Sequence, residues 1–169
     1  MSSLQEIGAT VKARRSDMGL TQSKLAHLSG LSRSTVNQLE NGSVGDLSFN
    51  RASRLLSVIG LRVDVPSARA RSRAHHTATS KALELAAKTA SVSYRSTLTP
   101  TALRRALLSN QIPDDYAPHL FVLVDEVPVA LLADVVDELH REHGIARADI
   151  WARMKEIAVS LKSSREIWR

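Results

Sequence analysis

The chain has 169 residues, of which 43% are hydrophobic, 24% are charged and 4% are aromatic; this is typical of a soluble globular protein with one or two small domains. It has no cysteine, which excludes disulfides and thiolate metal sites. The lack of cysteine also fits a reducing cytoplasm, where we expect the protein, and no apolar run reaches the roughly 20 residues of a membrane span. The net charge of +6 is uneven: residues 1–66 have eight basic and five acidic residues, residues 67–110 have eight and one, and residues 111–169 have seven and eleven. The basic front favours a polyanion as partner, and the acidic end favours a different partner.

The first third of the chain is predicted to form five short helices. Apolar residues recur at helical spacing from Leu4 to Val11, and glycines stand where helices should stop. Thr21, Ser32 and Ser48 are good N-caps for the segments that follow them.

The pattern changes at the stretch LRVDV. Leu61, Val63 and Val65 alternate with Arg62 and Asp64, which predicts a short β-strand. A strand of this length is not stable alone, and the preceding helices supply no partner. We therefore expect it to pair with the same strand of a second copy, as a two-stranded ribbon across a homodimer.

The next segment, residues 67–80, has no apolar period and is rich in Arg, Ser and Ala, as expected for a flexible basic linker. Its arginines are either solvated or lie along DNA phosphates. Helical spacing then predicts a small domain of four or five helices over residues 81–169. The expected fold is all-α, with a helical domain at residues 1–66, the linker, and a second helical domain.

Two short helices in residues 21–42, about Gln22–Ser29 and Arg33–Asn41, meet at Gly30. Their inward residues would be Leu25, Ala26, Leu28, Leu31, Val36 and Leu39. The polar residues left outside on the second helix are Arg33, Ser34, Asn37 and Gln38. Such side chains suit the DNA major groove, where Arg donates to guanine O6 and N7, and Asn or Gln pairs with adenine N6 and N7.

At these residues the sequence resembles the XRE family of helix-turn-helix proteins, which includes phage lambda-type repressors. The resemblance covers about Leu4 to Leu61 and rests on RRSDMGLTQSKLA, the central Gly30 and SRSTVNQLENG. It implies a five-helix lambda-repressor-like domain on double-stranded DNA, and a pair between Arg15 and Glu40 that ties the first helix to the recognition helix. The DNA-binding residues that it implies are Gln22 at a phosphate-facing helix start, Arg33, Ser34, Thr35, Asn37 and Gln38 at bases or backbone, and Asn41 and Ser43 near the backbone.

The second domain, residues 81–169, carries no recognisable family pattern. His140 and His143 are three residues apart, but the metalloprotease pattern is missing. Asp114 and Asp115 are better explained as a helix start than as paired catalytic carboxylates. We therefore expect no catalytic residue, no metal site and no cofactor.

The strand after the helices narrows the resemblance to HipB-type antitoxin repressors. It implies a homodimeric repressor on a palindromic operator that neutralises a toxin protein through residues 81–169. The alternative is a stand-alone repressor whose second domain senses a ligand or drives oligomerisation. An enzyme with a DNA-binding domain is a third reading, but no nucleophile–base pair or glycine-rich phosphate loop supports it.

Overall fold

The computed structural model describes residues 3–62, 81–109 and 113–169. The chain divides into two compact units, which we call the head unit (Met1–Val63) and the tail unit (Asp64–Arg169). Every regular element within the described ranges is a helix, which confirms the all-α expectation for them. The predicted linker at residues 67–80 lies outside those ranges. Among the helices that are described, none is both long and apolar enough to cross a membrane.

The head unit contains four helices in its described part. These are α1 (Ser3–Asp17), α2 (Gln22–Ser29), α3 (Arg33–Glu40) and α4 (Phe49–Val58). The prediction of five helices is therefore wrong for residues 3–62. Residues 41–48 include Gly42 and Gly45 and form a loop, because glycine is a poor helix former, and helical structure resumes only at Phe49.

The predicted caps explain where α2 and α3 begin. The Thr21 hydroxyl accepts a hydrogen bond from Lys24 N, and the Ser32 hydroxyl accepts one from Thr35 N, both at 3.0 Å. Each bond satisfies an amide that the first helical turn leaves without a partner. Ser48 precedes α4 but makes no side-chain cap bond, so its predicted role as a cap is not observed.

The core of the head unit lies where α1 packs against α3 and α2 packs against α3 and α4. Its fully buried side chains are Val11, Leu25, Val36, Leu39, Leu55 and Ile59. Within the predicted inward set, Leu28 and Leu31 are only half-buried, and the other four are buried. The core therefore depends on the residues of α2 and α3 that face each other and α4.

The predicted strand is described only at its first two residues. Leu61 N donates to Leu56 O at 2.9 Å, and Gly60 has a φ of 72°, so the chain leaves α4 through a left-handed turn. Leu61 and Arg62 adopt no regular structure, and Val63, Asp64 and Val65 lie outside the described residues. The ranges that the structure describes contain no strand, and the dimer ribbon stays a prediction.

The tail unit is a bundle of five α-helices within its described ranges. They are α5 (Ala82–Ala90), α6 (Pro100–Ser109), α7 (Ala117–Asp125), α8 (Val129–His143) and α9 (Arg147–Ser160), with short 3-10 turns at Asp114–Tyr116 and Glu166–Trp168. Both α5 and α9 pack against α6, α7 and α8. The apolar stretch of α7 and α8 supplies much of the core, with Leu120, Leu123, Leu132 and Leu139 fully buried.

One buried carboxylate fixes the start of α5. Glu138 on α8 is 3% exposed, and its Oε2 accepts a hydrogen bond from Leu83 N at 2.9 Å. Lys81, the residue that precedes α5, makes no side-chain cap bond. Glu138, which lies 55 positions further along the chain, therefore provides the hydrogen bond that an N-cap residue usually makes.

Residues 163–168 are held by hydrogen bonds at the end of α7. The Asp125 carboxylate accepts from Ser163 Oγ at 2.6 Å and from Ser164 N at 2.9 Å, and Trp168 Nε1 donates to Val124 O at 2.8 Å. The hydrogen bond from Ser163 is the main reason that the pKa of Asp125 lies below its usual value. Trp168 is 6% exposed, so this segment is part of the tail core.

Candidate nucleic-acid interface

The turn between α2 and α3 depends on Gly30. Its φ is 67°, a left-handed conformation that side chains with a Cβ rarely adopt. Gly30 N donates to His27 O at 3.2 Å and Leu31 N donates to Ala26 O at 2.9 Å, so the last carbonyls of α2 are satisfied within the turn. This closure lets α3 begin only three residues after Gly30.

The first helix touches the backbone of α3 through Gly8. A Cβ built at Gly8 would lie 2.0 Å from Leu39 O, far inside the 3.4 Å that an ordinary contact needs. Only a glycine allows α1 to come this close to the end of α3. This role of Gly8 was not predicted, although a glycine within a helical pattern is itself a signal of close packing.

The Glu40 carboxylate joins three helices. Its side chain is fully buried, and its oxygens accept from Arg15 Nε at 2.6 Å and Arg15 Nη2 at 3.0 Å. Arg15 also donates to Leu20 O at 2.7 Å, and Gln22 Nε2 donates to Glu40 Oε2 at 2.9 Å. Arg15 lies on α1, Gln22 on α2 and Glu40 on α3, so this cluster fixes the positions of all three helices.

The electrostatics of the cluster favour an ionised Glu40. Burial raises the pKa of this carboxyl, but hydrogen bonds from Arg15 and Gln22, together with the attraction of Arg15 and Lys12, lower it by more. The resulting pKa lies below the usual value for glutamate. At neutral pH the carboxylate therefore accepts hydrogen bonds and donates none.

Three amide side chains continue from Glu40 towards the surface, and we call Gln22, Asn37 and Asn41 the amide row. Gln22 Nε2 donates to Asn37 Oδ1 at 3.3 Å as well as to Glu40, and Asn41 Nδ2 donates to the same Asn37 oxygen at 3.1 Å. Asn37 and Asn41 are exposed and Gln22 is half-buried. The row thus links the buried ion pair to the outer face of α3.

The outer face of α3 carries most of the residues implied as DNA contacts. Arg33, Ser34, Asn37 and Gln38 are all exposed. Their side chains lie on the side of α3 that faces away from the core, whereas Val36 and Leu39 lie on the core side, as the helical period requires. The face presents guanidinium, hydroxyl and amide groups, which are the groups that read base edges in a major groove.

Thr35 and Ser43 make local contacts. Thr35 is half-buried, and its hydroxyl lies 2.8 Å from Ser32 Oγ within the cap of α3. Ser43 is exposed, and its N and Oγ donate to Gln38 O at 2.9 Å and 3.3 Å. Ser43 therefore ends α3, and Thr35 helps to begin it.

The tail residues that were candidates for catalysis or metal binding take part in local structure. Asp114 and Asp115 begin an exposed 3-10 turn, while His140 Nδ1 is 2.7 Å from Ile145 O at the end of α8. His143 Nε2 lies 3.8 Å from a Glu142 oxygen. Within residues 3–62, 81–109 and 113–169, no group of three or more His, Asp or Glu side chains is placed to hold a metal ion.

Comparison with known families gives one match. The helix-turn-helix family model matches residues 11–65, which include the second half of α1, all of α2, α3 and α4, and none of the described tail helices. No curated protein and no solved structure matches the chain.

Proposed function

We propose that this protein, a DNA-binding transcriptional regulator of the XRE helix-turn-helix type, is a sequence-specific repressor that reads double-stranded DNA with α3. The observation that carries the proposal is the exposed face of α3, which is polar throughout and is held by a fully buried Glu40. A rigid base is needed because a recognition side chain must be held in one geometry to discriminate between bases.

In this proposal α3 enters the major groove with its exposed polar face. Arg33 donates to a guanine, and Ser34 and Gln38 contact neighbouring bases or the backbone. The first amides of α2, beginning at Gln22, approach a phosphate, because free N–H groups and the helix dipole attract anions at that end. The excess of basic residues in positions 1–66 adds a salt-dependent attraction to the duplex.

The operator is proposed to be palindromic and the protein a homodimer. One recognition helix reads only a few base pairs, whereas two copies spaced by about 34–36 Å read two half-sites. Pairing of residues 61–65 between copies would set this spacing. Val63→Asp is the test: sedimentation should show dissociation to monomers, and an unchanged dimer would refute the ribbon.

For the tail unit we propose the role of an antitoxin, which binds and neutralises a toxin protein and lets the head unit repress the shared operon. The acidic balance of residues 111–169 supports a partner with a basic surface. A toxin gene next to this one, and co-purification of its product with the tail unit, are the expected results. A tail unit that binds no neighbouring gene product argues against this role.

A stand-alone repressor is the second candidate, with a tail unit that oligomerises or senses a ligand. Two exposed apolar side chains of the tail unit favour it: Leu85 on α5 is 54% exposed and Val92 just after α5 is 79% exposed. A small molecule that raises the melting temperature and releases DNA, or an oligomer lost in a Leu85→Ser, Val92→Ser variant, would select this candidate. Neither candidate gives the chain a catalytic reaction.

The DNA-binding proposal is tested by selecting tight-binding duplexes from a random pool with the full chain. Enrichment of one motif with two inverted half-sites is expected, and the affinity should fall as the salt concentration rises. A pool that yields no enriched sequence would overturn the proposal. Ser57→Ala, which changes an exposed residue of α4, serves as the control for nonspecific effects of substitution.

A further inference from the structure

We infer that the amide row fixes Asn37 as a hydrogen-bond donor towards DNA, so that this residue selects guanine or thymine and not adenine. The inference rests on the proposed function, since it specifies which base edge α3 reads. An asparagine that is free to rotate its amide reads adenine by donating to N7 and accepting from N6. The surroundings of Asn37 remove that option.

The orientation of the row begins at Glu40. Its oxygens accept from Arg15 and from Gln22, and an ionised carboxylate has no hydrogen to offer. Gln22 must therefore turn its Nε2 towards Glu40. Both hydrogens of that nitrogen are then used, one on Glu40 Oε2 at 2.9 Å and one on Asn37 Oδ1 at 3.3 Å.

The same logic orients the next two amides. Asn37 turns its oxygen towards Gln22, because the nitrogen of Gln22 can only donate to an acceptor. Asn41 Nδ2 donates to the same oxygen at 3.1 Å. The Asn37 Oδ1 atom thus accepts two hydrogen bonds, and the Asn37 Nδ2 group bonds to no other described residue. It remains available on the exposed side of α3.

The chemistry of the base edges then gives the preference. Guanine presents two acceptors in the major groove, N7 and O6, and thymine presents O4. Adenine presents its N7 acceptor beside an N6 donor, and cytosine presents an N4 donor. A side chain with only N–H groups to offer can donate to both acceptors of guanine or to thymine O4, whereas the N6 amine beside adenine N7 and the N4 amine of cytosine oppose it with donors of their own.

Duplex selection with the full chain and two variants tests the inference. In Asn37→Ala, one position per half-site should lose its preference, and in the wild type that position should hold guanine or thymine over adenine by roughly tenfold in affinity. Asn50→Ala, an exposed asparagine on α4, is the matched control and should leave every base preference unchanged.

Glu40→Gln should weaken the preference. Arg15 donates to both Glu40 oxygens, from Nε to Oε1 and from Nη2 to Oε2, so the amide nitrogen of the variant meets an N–H group of Arg15 in either orientation. Where that nitrogen takes the place of Oε2, Gln22 must turn its oxygen towards it, Asn37 turns its own oxygen outwards, and the same position should accept adenine or cytosine as well. A merely structural role for Glu40 would weaken binding without changing the selected base.

The outcomes separate the two levels of the proposal. No enriched motif with the wild type overturns the DNA-reading function and this inference with it. An enriched motif in which the Asn37-dependent position is adenine or cytosine, or in which Asn37→Ala changes nothing, overturns the inference alone. A Glu40→Gln protein that is folded by circular dichroism and keeps the full wild-type preference for guanine or thymine also overturns it. If that variant does not fold, the Asn37→Ala result decides.

Discussion

Replacing Gly8 by alanine should destabilise the head unit, although the same change in most helices stabilises. In a helix interior alanine is favoured over glycine by about 0.8–1 kcal/mol. At Gly8, however, the new Cβ would lie 2.0 Å from Leu39 O, and an unstrained contact needs at least 3.4 Å. The two backbones must separate by about 1.4 Å along that line.

The net effect follows from two opposing terms. Overpacking of a tight contact costs about 1–3 kcal/mol, and the partner atom is a backbone oxygen that cannot rotate away. Subtracting the gain in helix propensity leaves a loss of about 0–2 kcal/mol, and a contact as short as 2.0 Å to a backbone atom places the variant in the upper half of that range. The upper end applies if the shift of α1 also stretches the 2.6 Å hydrogen bond from Arg15 to Glu40.

Hydrogen exchange followed by mass spectrometry on the full chain is a suitable assay, because it reports the two units separately. Peptides from α1 to α3 should exchange faster in Gly8→Ala, while those from α5 to α9 should not change. Ala9→Gly is the matched control: Ala9 is exposed on the same helix, so this change should cost only about 1 kcal/mol of helix propensity.

Slower hydrogen exchange of the head unit in Gly8→Ala would contradict this expectation. That result would mean that propensity alone governs the position and that α1 can move away from α3 at no cost. The contact between Gly8 and Leu39 would then have no part in placing α3.

Three further expectations follow from the same structure. Arg33→Ala should relax specificity at one base position per half-site by about 1–3 kcal/mol, and a selection with unchanged base preferences would contradict its role. Folding lowers the pKa of Glu40. The ionised carboxylate should therefore contribute fully to the free energy of unfolding above the pKa of Glu40 in the unfolded chain, about 4.3, and this contribution should disappear as the pH falls through the pKa of Glu40 in the folded protein. Denaturant titrations should show this acid dependence in the head unit, and Glu40→Gln should reduce it. Trp168→Ala should destabilise the tail unit by about 3–5 kcal/mol, with Arg169→Ala, an exposed neighbour, as control; equal melting curves for the two variants would show that the final turn is not part of the tail core.

The parts of the fold that local chemistry dictates were predictable. Thr21 and Ser32 are capping residues at the starts of α2 and α3, and Gly30 ends α2 in a left-handed turn. These signals act over three or four residues, so the sequence alone places both helices to within a residue. The expected number of five helices was wrong for residues 3–62, where the structure has four.

The parts that depend on tertiary contacts were not predictable from spacing. The pair of Arg15 and Glu40 spans 25 positions, and only the family resemblance suggested it. The closeness of Gly8 to Leu39 and the fastening of Ser163 to Asp125 arise from packing between distant segments. The orientation of the Asn37 amide depends on a chain of partners that begins at a buried carboxylate, which no local pattern contains.

The cap that Glu138 provides for α5 sets an order of events during translation. The two residues that form it are 55 positions apart, so at about 5–20 residues per second the ribosome adds Glu138 roughly 3–11 s after Leu83. Until then the first turn of α5 has an amide without its native partner, while α1 to α4 have already been synthesised. The head unit should therefore be complete several seconds before the first turn of α5 gains its native partner.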